Sequence, residues 1–301
     1  MVERLDTAVG DMARALDGRL TGASGHLRNA AGRLEHADSA GRPPIGRMDT
    51  GAARSFIGTD SSGKFVRFSS DDVVSVPLKD SRGDVIGVSF PSRRGDIGSK
   101  KRWAAAELRS SDHVHYAFWK KDPDATRPSW VFGRRRTAPW ADENPVYAHA
   151  HADSRTFHIK VKTGRWSSRP VQVTGDTYAE LLARNEHLAQ ALAAKPGPLV
   201  LLSCSPARES GSAAAAMTQY LHAETGIARD VYAAKGDVMT QRWGNVSSVG
   251  VEVDTAIGDA AEPLWEVYRT PPGRSAAPEA NEPATSAEDD TDPFGFPPIR
   301  G

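Results

Sequence analysis

The sequence predicts an α/β fold with a mostly parallel central sheet, and three observations carry the prediction. Between about 145 and 235 strand-like and helix-like stretches alternate, the order that βαβ units produce. The stretch Pro198 to Pro206, PLVLLSCSP, is apolar from Leu199 to Leu202 and then breaks at a small polar tip, as a buried strand does. The run VYAHAH after Pro145 alternates, with Tyr147, His149 and His151 on one face and Val146, Ala148 and Ala150 on the other.

The 301 residues divide into an arm, a core and a tail. Over 1–45 the positions Val2, Leu5, Val9, Met12 and Leu16 recur at heptad-like steps, so a helical or linker arm is expected there. Repeated glycines weaken that helix. The α/β domain is expected over 46–272. Over 273–301 an acidic, Pro-rich composition, with six acids and no bases between Ser275 and Ile299, predicts a disordered tail.

Within the core, the period changes to two from Lys64. KFVRFSS, DVVSVPL and DVIGVSFP read as strands, the last two joined by a turn at KDSRG. WAAAELRS, Trp103 to Ser110, reads as a helical turn, and HVHYAFW and SWVFG as further strands. FHIKVKTG and RPVQVTG form an expected hairpin. GDTYAELLARNEHLAQALAAKPG reads as one long helix, capped by Asp176 or Thr177 and stopped at Lys195-Pro196-Gly197. After the Cys204 strand come an Ala-rich helix ending at Gly226, then strands in RDVYAAKG, VMTQRW and SVGVEVD, and a strand or short helix in PLWEVYR.

Formal net charge is zero, with 38 basic and 38 acidic residues, so no global field draws the chain to nucleic acid or anionic lipid. A single cysteine excludes an internal disulfide and a Cys-rich zinc site, and neither a metal nor a cofactor is expected. No apolar h-region opens the chain, no run has the length of a membrane span, and mean hydropathy is −0.48. A soluble, cytoplasmic protein with no membrane or nucleic-acid partner is the expectation.

Strand ends surround the natural crevice of a parallel sheet, and both His151 and Cys204 fall at such ends. A thiol attacks an acyl carbon as thiolate, so it needs an imidazole or a helix N-terminus nearby. The helix after Cys204 is one source of that field. Backbone N–H groups of Ala152 and Cys204 are placed to hold an oxyanion. His149 shares a face with His151 and is the alternative base. The clusters Lys100-Lys101-Arg102, Lys120-Lys121 and Arg134-Arg135-Arg136 read as solvated surface, and Asp176 and Glu180 as first-turn helix charges.

HADSRTF and VLLSCSPA, whose His151 and Cys204 lie 53 positions apart, resemble the His and Cys signatures of caspase-like cysteine peptidases. The similarity is greatest to the self-processing protease domains of large bacterial toxins and the related "lonely Cys" domains of actinobacteria. VYAAKGDV at 231 to 238 matches the strand that follows in that pattern. The resemblance covers 145 to 240 well and 64 to 270 loosely. It implies a caspase-like three-layer sandwich and a cysteine endopeptidase, with Cys204 as nucleophile and His151 as base and acid in a dyad. It also implies a polypeptide substrate, its own chain or a partner, and an anion trigger at a basic site. The family's His-Gly is His151-Ala152 here. The alternative is a catalytically degenerate caspase-like module that binds a partner protein.

Overall fold

The structure, a computed structural model, describes residues 54–106, 113–122, 126, 129–243, 246–253 and 263–272. The arm expected over 1–45 and the tail expected over 273–301 lie outside the described residues. In chain order come β1 (Ser55–Asp60), β2 (Phe65–Ser69), β3 (Val76–Lys79), β4 (Val85–Phe90), α1 (Asp96–Ala104), β5 (Val114–Lys120), β6 (Trp130–Phe132) and β7 (Arg136–Thr137). Then follow β8 (Val146–Ala152), β9 (Phe157–Gly164), β10 (Ser167–Val173), α2 (Gly175–Ala183), α3 (Glu186–Ala194) and β11 (Leu199–Leu201). The last are α4 (Ala213–Tyr220), β12 (Val231–Ala234), β13 (Val238–Trp243), β14 (Val246–Glu252) and β15 (Trp265–Tyr268).

The fold is mixed α/β, but its sheets are largely antiparallel, which corrects the expectation of a mostly parallel sheet. Parallel pairing joins β4 to β8, β8 to β11, β11 to β12 and, in a second sheet, β5 to β14; the other pairings among the described strands are antiparallel. The reason is the connections. β1/β2, β3/β4, β9/β10 and β13/β14 are joined by loops too short for a crossover, and such hairpins can only be antiparallel. The parallel strands are those separated by helices.

The parallel strands have a core on each face. Val146, Ala148 and Ala150 of β8 and Leu199 and Leu201 of β11 pack with Tyr178, Leu182, Leu188 and Met217 of the helices. Tyr147, Val200 and Leu202 point the other way, toward Trp103 of α1, Trp140, and Val249 and Val251 of the second sheet. The alternation read from the sequence is thus the division between two cores. Trp103 packs edge-on against Tyr147, with ring centroids 4.9 Å apart, and this contact seats α1 on the sheet.

Helix boundaries differ from expectation in two places. The helix near Trp103 runs from Asp96 and ends at Ala104, so Trp103 is its last turn and not its start. The long helix is two helices, α2 and α3, broken at Arg184. Asn185 caps α3 by accepting from the N–H groups of His187 and Leu188, and this local bond competes with continuing the first helix. Thr174, not Asp176 or Thr177, precedes α2 as its N-cap. Glu180 is an ion-pair hub: it holds Arg54 at 2.7 Å and Arg184 at 3.1 Å, and accepts from the Tyr220 hydroxyl at 3.2 Å.

Candidate functional site

β8 and β11 run parallel with Ala148 opposite Leu201, and Leu202 N–H donates to the Ala148 carbonyl at 2.8 Å. His151 is three residues beyond Ala148 and Cys204 three beyond Leu201. His151 is still within β8, and Cys204 lies in the loop that follows β11, both at the carboxyl edge of the parallel pair.

On its other side β8 changes neighbour. β4 pairs with it up to Ala150, and β9 pairs with His151 and Ala152. Asp153 N–H donates to the Thr156 carbonyl at 3.0 Å, so 153/156 is a hydrogen-bonded pair, and His151/His158 is the next. Ala152/Phe157, between them, is the non-bonded pair. The Ala152 N–H therefore points away from β9, to the side on which Ala148 meets Leu202. Ala152 keeps an ordinary negative φ, since the described non-glycine residues with positive φ are Asn144, Ser205 and Ser210. Alanine in place of glycine costs no backbone strain at this position.

His151 is held by a residue that sequence reasoning did not single out. Its Nε2 lies 3.0 Å from Oδ1 of Asp96, at the start of α1. The other Asp96 oxygen accepts from the N–H groups of Ser92 (3.0 Å) and Arg93 (2.7 Å). Burial works to raise the Asp96 carboxyl, but the Arg93 N–H and His151 outweigh it and hold it below its ordinary value. For His151 burial is the largest influence and lowers it, with Asp96 pulling back upward and Arg93 and Lys100 pushing down. The net shift is downward, which favours the neutral imidazole. With Nε2 on Asp96, Nδ1 is the nitrogen left for the crevice.

His149 is 2% exposed, and its Nδ1 lies 2.7 Å from the Ser89 hydroxyl. Burial, then Lys100 and His151, hold it well below the usual imidazole value. It sits one alternation deeper than His151, committed to Ser89, and is poorly placed as a base.

Cys204 is partly exposed. Its Sγ accepts from Val238 N–H of β13 at 3.4 Å and lies 3.9 Å from the Val238 carbonyl. No hydrogen bond joins it to His151. Burial raises the thiol, opposed by Val238 N–H, Lys100 and Arg93 and reinforced by Asp237; the net shift is upward. The following loop is fixed tightly. Ser205 adopts a left-handed φ of 53°, donates its N–H to Gly236 at 2.9 Å, and donates its hydroxyl to Asp237 at 2.8 Å.

The helix after Cys204 does not supply the expected field. The N–H groups of Ser212 and Ala213 donate to the Ser154 carbonyl at 2.8 and 3.1 Å, and Ala214 N–H to Pro206. These bonds consume the start of α4. They also tie the loop after His151 to the loop after Cys204, and Gly211 fits there because a Cβ would come within 2.6 Å of the Ser154 carbonyl. Asp153 acts as a turn former, accepting from the N–H groups of Arg155 and Thr156.

The cation near the thiol is Lys100, which corrects its reading as solvated surface. It stands one helical turn beyond Asp96, half-buried, and its Nζ lies 2.7 Å from the Thr240 hydroxyl of β13. Burial pushes it down to about 8, with Cys204 and Asp96 pulling upward. Lys120, Lys121 and Arg134, Arg135 and Arg136 are exposed. Among the described residues no cluster of His, Cys, Asp and Glu is arranged to hold a metal, and no helix is long and apolar enough to cross a membrane.

No family model matches the chain, and no curated protein or solved structure matches it.

Proposed function

We propose that the chain is a caspase-like cysteine endopeptidase in which Cys204 is the nucleophile and His151 the general base and acid. The observation that carries this reading is the pairing of β8 with β11, which brings His151, near the end of β8, and Cys204, three residues past the end of β11, to the carboxyl edge of the same parallel pair, with His151 oriented by Asp96. In the proposed reaction His151 Nδ1 takes the thiol proton, the thiolate attacks the scissile carbonyl, and the N–H groups of Ala152 and Cys204 receive the developing oxyanion. His151 then returns the proton to the leaving amine, and water hydrolyses the acyl-enzyme. Asp96 fixes the tautomer and favours the imidazolium while it exists. The same chemistry would serve cleavage of the chain itself or of a partner protein, and a polyanion trigger would use the exposed basic residues of the second sheet.

A second reading, a degenerate module that binds a partner protein, is favoured by one observation. The thiol is bonded to Val238, not to His151, and burial disfavours its thiolate. Labelling of Cys204 by an electrophilic peptide probe separates the two. The peptidase reading expects fast labelling that falls by about 100-fold or more in His151→Ala. Equal, slow labelling in both proteins leaves the binding module.

A further inference from the structure

Beyond the His151 and Cys204 pair, the helix that carries Asp96 also carries a lysine, which is anchored to the strand that meets the thiol. Lys100 is on the inner side of α1, four residues after Asp96, and its Nζ is fixed 2.7 Å from Thr240. Thr240 is two residues along β13 from Val238, whose N–H meets Cys204 Sγ. A long cationic chain is thus brought to the strand that holds the thiol. The N-terminus of α4, the other source of positive potential, is consumed by Ser154 and Pro206.

We infer that Lys100 is a positioning residue whose ammonium stabilises the Cys204 thiolate, leaving His151 to carry the proton. The inference rests on the reading of Cys204 as nucleophile. The charged groups that act on the thiol are Lys100 from α1, Arg93 from the loop before it and Asp237 from the loop before β13. Asp96 and Cys204 face Lys100, which in turn acts on His149 and His151. Arg93 is exposed and solvent screens it, whereas Lys100 is sheltered and Thr240 restrains it. Asp237 acts against both; the Val238 N–H is the largest influence favouring the thiolate and Lys100 the next, so the thiolate draws on the amide and on Lys100 keeping its proton. The proton moves from Sγ to His151; Lys100 gains and loses none.

The test is the pH dependence of Cys204 alkylation by iodoacetamide in the full chain, which needs no peptide substrate. Lys100→Met is expected to raise the midpoint by about one pH unit and to slow alkylation at pH 7 about ten-fold. Lys100→Arg is expected to restore most of it, which a purely packing role would not. Thr240→Val, which releases the anchor, is expected to shift the midpoint in the same direction by less. A midpoint unchanged in Lys100→Met, with thermal unfolding like that of the parent, would overturn the inference and leave the peptidase reading standing. A shifted midpoint in a chain that cleaves no polypeptide would sink the peptidase reading and keep the thiolate–ammonium pair.

Discussion

Asp96 and His151 are 55 positions apart in the chain and meet at 3.0 Å, with Oδ1 of the one against Nε2 of the other. The carboxylate is held independently of the histidine, because its second oxygen is bound by two backbone N–H groups of its own loop. The ring is therefore held in one tautomer and one orientation.

Asp96→Asn keeps the shape and removes the charge. Asp96 pulls the His151 value upward, so the variant titrates His151 at lower pH than the parent, measurable by NMR. Peptide-probe labelling should fall by about 10- to 100-fold, since Asn can select the wrong tautomer. An unchanged titration and rate would remove Asp96 from the site.

Ala152 can be probed in two directions. Ala152→Gly should leave probe labelling within about two-fold, because the backbone already has an ordinary strand conformation. Ala152→Pro deletes the N–H directed to the crevice, and the rate of acylation should fall by about 100-fold or more. Alkylation by iodoacetamide, which develops no oxyanion, should be much less affected.

Stability should decline as the solution is acidified below pH 6.5. Burial holds His149 well below 6.5 and lowers His115 to about 4, with Arg136 assisting in the latter. The unfolded chain therefore binds these protons first, and protonation favours unfolding. For His115 the window runs from 6.5 down to about 4. Urea unfolding at several pH values checks this, and His115→Phe should flatten the decline.

Leu201 is fully buried between the helices and the sheet. Leu201→Ala should cost about 2–5 kcal/mol. Asn185→Ala, which removes only the cap of α3, should cost about 1 kcal/mol. Chemical denaturation reads both, and the ratio tests whether the strand before Cys204 is the more heavily stabilised element.

Much of the fold is legible because period and burial coincide. The alternation of Tyr147, His149 and His151 against Val146, Ala148 and Ala150, and the apolar run ahead of Cys204, identify β8 and β11 and place His151 near the end of one and Cys204 just past the end of the other. The hairpins β3/β4 and β9/β10 are legible from their turns, but the pairing of β1 is not. β1 contains Gly58 and a short alternation, and its partner β10 lies more than a hundred residues away, so local pattern cannot pair them. Asp96 and Lys100 were hidden for a different reason. The segment RRGDIGSKKRW is mostly polar, its one strong anchor is Trp103, and charge-rich stretches ordinarily face water. The i, i+4 spacing of Asp96 and Lys100 was the available signal.

One carbonyl, that of Ser154, accepts from both Ser212 and Ala213. The segment after the histidine and the segment after the cysteine are therefore latched together. Neither loop can swing out alone, and the amides of Ser212 and Ala213 should exchange with solvent at matching rates, as one latch that opens or stays shut as a unit.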